Sequence, residues 1–120
     1  MSQYSLYIPQ FIDSDVKEIY VYLSGYGYGR HTAEKFLDEL EKKQEQIKRY
    51  PFSCAVDTVY PALIEMSVRK AVLWDGRYLM LYIVEDKTIV IVMVERAERD
   101  YITTFDANLK LYEEEKQRNG

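Results

Sequence analysis

Three of the chain's five glycines and two of its twelve tyrosines fall in one run, GYGYGR, at residues 25–30, directly before its sole histidine, His31. Such a run can cradle phosphate, because bare backbone amides approach an anion closely. It can also present Tyr26 and Tyr28 as rings on which a base or an apolar side chain stacks, or simply turn the chain where positive φ is needed. Spacing argues against phosphate. Gly25 and Gly27 fit a dinucleotide fingerprint, but residue 30 is Arg, the run follows a helical pattern, and no Gly-Lys-Ser/Thr ending completes a P-loop. The run reads as a joint that carries two tyrosines. His31 is a candidate general base, yet at the mouth of a helix it reads as a solvated surface residue. Cys54, in an irregular segment without a histidine nearby in sequence, reads as an inert thiol. One histidine and one cysteine cannot make a structural zinc site, and no acidic run matches a calcium loop. Neither metal nor cofactor is expected.

The chain that must position these residues has 120 of them, 48% hydrophobic and 30% charged, which suits one globular domain with a single core. One cysteine forbids an internal disulfide and fits a reducing, cytoplasmic setting. MSQYSLYIPQ lacks the basic and apolar parts of a secretory signal. Ile89 to Val94, the longest apolar stretch, is far short of the roughly 20 residues of a membrane helix. A net charge of −4 argues against nucleic-acid binding through the surface as a whole, so any such binding must be local.

Leu6 and Ile8 alternate with Ser5 and Tyr7, predicting a short strand that ends at Pro9. Ile12, Val16, Ile19 and Leu23 recur at helical spacing, with Asp13 or Ser14 as the expected cap. A second helix carries Ala33, Phe36, Leu37, Leu40 and Ile47 on one face, capped by Thr32 and stopped by Tyr50-Pro51. Residues 52–65 read as loop with one turn of helix. Met66 to Trp74, an Asp75-Gly76 turn, Tyr78 to Val84, a turn at 85–87 and the two-sided apolar run 88–94 predict three strands, the last central in its sheet. The fold class is α+β: an N-terminal strand, a helical hairpin and a mainly antiparallel meander over residues 1–105. Residues 106–120 form a short helix capped by Asp106, or a frayed tail.

Taken together, DSDVKEIYVYLS, TAEKFLDELEKKQEQIKRYP, RKAVLWDGRYLMLYIVEDKTIVIVMV and ERAERDY resemble the RelE/ParE superfamily of toxins from type II toxin-antitoxin modules, across residues 4–101. The Ala-Glu-x-Phe-Leu start of the second helix and its Tyr-Pro stop carry the likeness along with the order of elements. The resemblance implies a plasmid-stabilisation type of toxin, neutralised by a cognate antitoxin whose disordered C-terminal segment folds over it. It implies no membrane and no direct DNA binding by the toxin alone. One branch of the superfamily cuts mRNA on the ribosome without a metal; another inhibits DNA gyrase by binding it.

For the cutting branch, the resemblance assigns Arg77, Arg96 and Arg99 to the phosphate and Tyr101 to proton transfer. Such chemistry needs a base, cations on the phosphorane and an acid for the leaving oxygen. Arg69, Lys70, Tyr26, Tyr28 and Tyr82 are assigned to target or antitoxin binding. Two departures favour the gyrase branch. The cutting branch's Tyr-Arg-apolar-apolar-Tyr appears here with Leu79 at the arginine position, and its His-Gly-Arg-Arg-Asp ending appears as Arg96-Ala97-Glu98-Arg99-Asp100. The alternatives are an mRNA endoribonuclease and a non-toxic relative that only binds a partner.

Overall fold

The computed structural model describes residues 3–97 and 100–119. Along the chain run β1 (Ser5–Tyr7), α1 (Gln10–Gly25), α2 (Arg30–Arg49), α3 (Pro61–Glu65), β2 (Arg69–Leu73), β3 (Tyr78–Glu85), β4 (Thr88–Arg96) and α4 (Tyr101–Asn119). The four strands form one sheet in the order β1-β4-β3-β2, with β1 parallel to β4 and the other pairs antiparallel. This is the expected α+β arrangement, and β4 is central.

Strand alternation divides the sheet into two apolar faces. On β3, Tyr78, Met80 and Tyr82 face the helical hairpin, where Ile12, Leu23, Ala33, Phe36, Leu40 and Ile47 are buried against them. Leu79, Leu81 and Ile83 point the other way, toward Leu63 of α3 and Tyr101, Phe105 and Tyr112 of α4. A β-bulge breaks the rhythm of β4: Leu81 pairs with Met93 but Tyr82 pairs with Ile91, leaving Val92 extra. Val92 and Met93 therefore both lie on the α4 side, and Val94 returns to the hairpin side. The side-chain amide of Asn108 donates to the Val92 carbonyl at 2.9 Å, so the bulge leaves no buried acceptor unpaired there.

Helix boundaries differ from the sequence expectation, each for a local reason. α1 starts at Gln10, with Pro9 as its N-cap accepting from the amides of Ile12 and Asp13, so neither Asp13 nor Ser14 is the cap. Proline holds the pre-helical φ, here −57°, and its carbonyl begins the ladder. Asp13 sits instead in the first turn, ion-paired to Lys17 at 3.2 Å. α2 is capped by Gly29 at φ 94°, ψ 167°, a region open in practice to glycine alone, and Thr32 lies inside the helix donating to the Tyr28 carbonyl. Tyr50 ends that helix as expected. β2 begins at Arg69 because Met66 closes α3 and Ser67 turns at φ 55°.

α4 begins five residues before Asp106, which is exposed within the helix rather than capping it. Tyr101, Phe105, Asn108 and Tyr112, at spacings of four, three and four, form its buried face. Toward its other end, Tyr112 donates to Glu85 at 2.6 Å, Lys116 lies 3.5 Å from Glu85, and the Tyr7 hydroxyl donates to Glu115. Among the described residues, no helix is long and apolar enough to cross a membrane.

Candidate functional site

The GYGYGR run and the β2–β3 turn meet at one end of the hairpin face. Both are shaped by positive φ: Gly27 and Gly29 in the first, Trp74, Asp75 and Gly76 in the second. The expected Asp-Gly turn is thus part of a four-residue connection, Trp74 to Arg77. A tryptophan at φ 48° is strained, and strain of this kind collects at functional sites. Two contacts hold it there: the Trp74 amide donates to Glu39 at 2.7 Å, and its ring stacks on Tyr78 with centroids 5.9 Å apart.

From that anchor a run of rings extends outward. Trp74 meets Tyr28 edge-on at 5.5 Å, Tyr28 meets Tyr22 at 6.4 Å, and Tyr22 stacks on Tyr26 at 5.0 Å. Two guanidiniums lie over it: Arg77 is 4.9 Å from the Trp74 ring centre and Arg96 is 5.9 Å from that of Tyr22. The depression they enclose is about 250 Å³ and is lined by Tyr22, Leu23, Tyr28, Trp74, Arg77, Tyr78 and Arg96. Tyr26 is 73% exposed and Tyr28 43%, so the rings stand at the surface.

A second depression of about 220 Å³ shares Tyr22, Tyr78 and Arg96 and adds Asp15, Glu18 and Glu95. Burial raises the Asp15 carboxyl above its usual range, and the charges of Glu18 and Glu95 raise it further. Burial likewise raises the Tyr78 phenol, opposed by the Arg96 charge. The two adjoining depressions thus bring two guanidiniums, three carboxylates and aromatic faces together, an arrangement suited to binding a mixed polar and apolar surface.

Of the residues singled out from the sequence, Tyr26, Tyr28, Arg77 and Arg96 come together here. Tyr22, Trp74 and Tyr78 complete the site and were missed, since nothing local ties the end of one helix to a turn fifty residues later. Arg99 lies outside the described residues. Tyr101 is elsewhere: on the α4 face, 6% exposed, its hydroxyl donates to Asp57 at 2.9 Å. Burial, and then Asp57, push its phenol well above the usual tyrosine range. Lys70 also approaches Asp57, at 3.8 Å. Arg69 donates to the Cys54 carbonyl at 2.6 Å and lies over the Phe52 ring. Tyr82 is fully buried and donates to the Pro51 carbonyl, so it supports the loop after α2 and offers no contact surface. His31 is exposed.

Comparison with known proteins follows the same lines. A family model described as the ParE toxin of the type II toxin-antitoxin system, parDE, matches residues 9–101. The chain belongs to the ParE toxin family. That match ends at the first residue of α4, so nearly all of this ParE-family chain's last helix lies beyond it. Among solved structures, a chain of the chromosomal ParDE TA system from P. aeruginosa is similar in fold: TM-score 0.64, 19% identity, covering 79% of this chain and 97% of that one. No curated protein matches.

Proposed function

We propose that this ParE-family toxin acts in the cytoplasm by binding, that its target is DNA gyrase, and that a cognate antitoxin neutralises it. One observation carries the choice of binding over cleavage: of the four residues assigned to RNA cutting, the three that are described are divided by the sheet. Arg77 and Arg96 lie among rings on the hairpin side, while the Tyr101 hydroxyl is engaged with Asp57 on the α4 side. A proton-transfer group must come within hydrogen-bond reach of the bond it serves. Tyr101 does not line the depression that holds Arg77 and Arg96.

The ring and guanidinium surface supports the binding role by its composition, since Trp, Tyr and Arg dominate the strongest interface contacts. The antitoxin has a separate place to dock. Between α1 and α2 lies a groove of about 630 Å³ lined by Ile8, Val16, Tyr20, Val21, Leu37 and Leu40, with Asp13, Lys17 and Glu41 at its rim. An amphipathic segment fits such a groove with its apolar side inward.

Isothermal titration of purified toxin into gyrase tests the proposal. Saturable binding is expected, weakened about 30-fold or more by Arg77→Ala with Tyr26→Ser, both exposed positions. Absence of saturable heat at two temperatures about 15 °C apart rules out gyrase as the target, because the heat-capacity change of apolar burial makes a contact that is silent at one temperature visible at the other.

A further inference from the structure

We infer that the end of the sheet opposite the ring and guanidinium surface is a binding site for single-stranded nucleic acid, with phosphates on Lys48, Arg49 and Lys87 and bases on Tyr50 and Phe52.

The site is an open depression of about 790 Å³ that brings together the last turn of α2, the two residues before β1, Gln3 and Tyr4, and the β3–β4 turn. Its described lining sets three cations, Lys48, Arg49 and Lys87, against one carboxylate, Glu45. Lys48 and Arg49 also suit the negative pole of α2. That ordinary role does not account for Lys87, which comes from a different element, or for the two rings beside them. Tyr50 is 60% exposed and Phe52 58%, so two large rings stand at the surface within one short turn.

The loop that carries them is fixed. Pro51 between them is buried, and its carbonyl accepts the Tyr82 hydroxyl at 2.8 Å. Arg69 fixes the same loop from below, donating to the carbonyls of Phe52 and Cys54 with its guanidinium 4.9 Å from the Phe52 ring centre. Tyr4 meets Phe52 edge-on at 6.3 Å and carries Lys87 over its face at 4.7 Å. Two adjoining rings, Tyr4 and Phe52, are thus flanked by a cation on each side, Lys87 and Arg69. Flat faces beside ammonium and guanidinium groups are what a strand with unpaired bases needs, since every base has a stacking face and every link a phosphate.

The overall negative charge does not forbid this, because charges beyond a Debye length of about 8 Å are largely screened at physiological salt. Lys87 and Arg96 are also nine residues apart on an extended strand, about 30 Å, so the two sites can be tested separately. Stacking distinguishes this ligand from an acidic peptide, which would use the cations and leave the rings bare.

Fluorescence anisotropy with labelled 15-mers of dT and rU provides the test. Neutralising three phosphates gives a salt slope of about −2 for single strands, so affinity falls about 20-fold between 50 and 200 mM salt. Lys48→Ala, Arg49→Ala and Lys87→Ala together should flatten that slope. Tyr50→Ser with Phe52→Ser should weaken binding at least fivefold and leave the slope intact. These positions are exposed, and an unchanged circular dichroism melt will verify folding. Binding of either oligomer in this pattern supports the site, and any preference between them identifies the strand as DNA or RNA. No binding at 50 mM salt, preference for duplex, or binding untouched by both variants while lost in Arg77→Ala overturns it.

Discussion

Replacing Tyr101 by Phe separates a structural hydroxyl from a chemical one. In the fold that hydroxyl donates to Asp57 Oδ2 at 2.9 Å, and both residues are nearly inaccessible, at 6% and 1%. The other Asp57 oxygen keeps the Val59 amide at 2.8 Å and Lys70 at 3.8 Å, so the substitution removes one of several partners. The ring survives in Phe, including its edge-on contact with Tyr60 at 5.2 Å. A hydrogen bond to a charged group contributes about 1.5–3 kcal/mol, and about 2 kcal/mol is expected to be lost here. For a domain of this size about 1 kcal/mol moves the melting temperature about 4 °C, so the midpoint should drop by about 8 °C. Thermal melts by circular dichroism at neutral pH measure that drop. Growth arrest at matched soluble expression, below the variant's midpoint, measures toxicity, which should persist. A midpoint unchanged within about 1 °C together with lost toxicity would place the hydroxyl in the chemistry and refute the reasoning.

Gly29→Ala should cost about 1–3 kcal/mol by equilibrium urea unfolding, because φ 94° strains any side chain there although no atom lies within 4 Å of the added carbon. Gly25→Ala, in the last turn of α1 with equally open space and no positive φ, should be neutral or slightly stabilising in the same assay. Asn108→Ala leaves the Val92 carbonyl at the bulge without its side-chain donor, and a loss of about 1–3 kcal/mol is expected in urea melts. Burial raises the phenols of Tyr82, Tyr101 and Tyr112 above the ordinary value, with Asp57 and Glu85 raising the last two further. Since the folded values are the higher ones, their contribution is complete below about pH 10 and is lost as pH rises beyond it. Melts across pH 8–11.5 should therefore hold level to about pH 10 and then fall. A flat profile to pH 11.5 would contradict the burial of these hydroxyls.

Much of this architecture is legible in residue spacing. Ile12 and Leu23, and Ala33, Phe36, Leu40 and Ile47, are buried as the helical period requires, and the two-sided apolar run of β4 lies at the sheet centre. Boundaries were less legible, because Pro9 and Gly29 begin helices through backbone geometry without a capping side chain. The full length of α4 is hard to see in the sequence because its first buried residue, Tyr101, looks like the end of a strand segment, and only the fold shows that Phe105, Asn108 and Tyr112 share its face. At the candidate site, Tyr26 and Tyr28 were visible as exposed loop rings, but their link to Trp74 depends on how the hairpin crosses the sheet. Tyr82 and Tyr101 show the reverse case. Each has a hydroxyl that suits a binding or catalytic role in sequence, and each is paired to a residue more than thirty positions away. Such pairings follow from tertiary packing and leave no local signal.

As proposed above, this ParE-family toxin acts by binding gyrase through the surface of Tyr22, Tyr26, Tyr28, Trp74, Arg77 and Arg96. The most direct measurement is ATP-dependent supercoiling of relaxed plasmid by purified gyrase, with wild-type toxin and with the Arg77→Ala, Arg96→Ala variant verified as folded. Inhibition by the wild type is expected, at least tenfold weaker with the variant, and relieved by stoichiometric antitoxin. Full supercoiling in the presence of a large excess of wild-type toxin would contradict it.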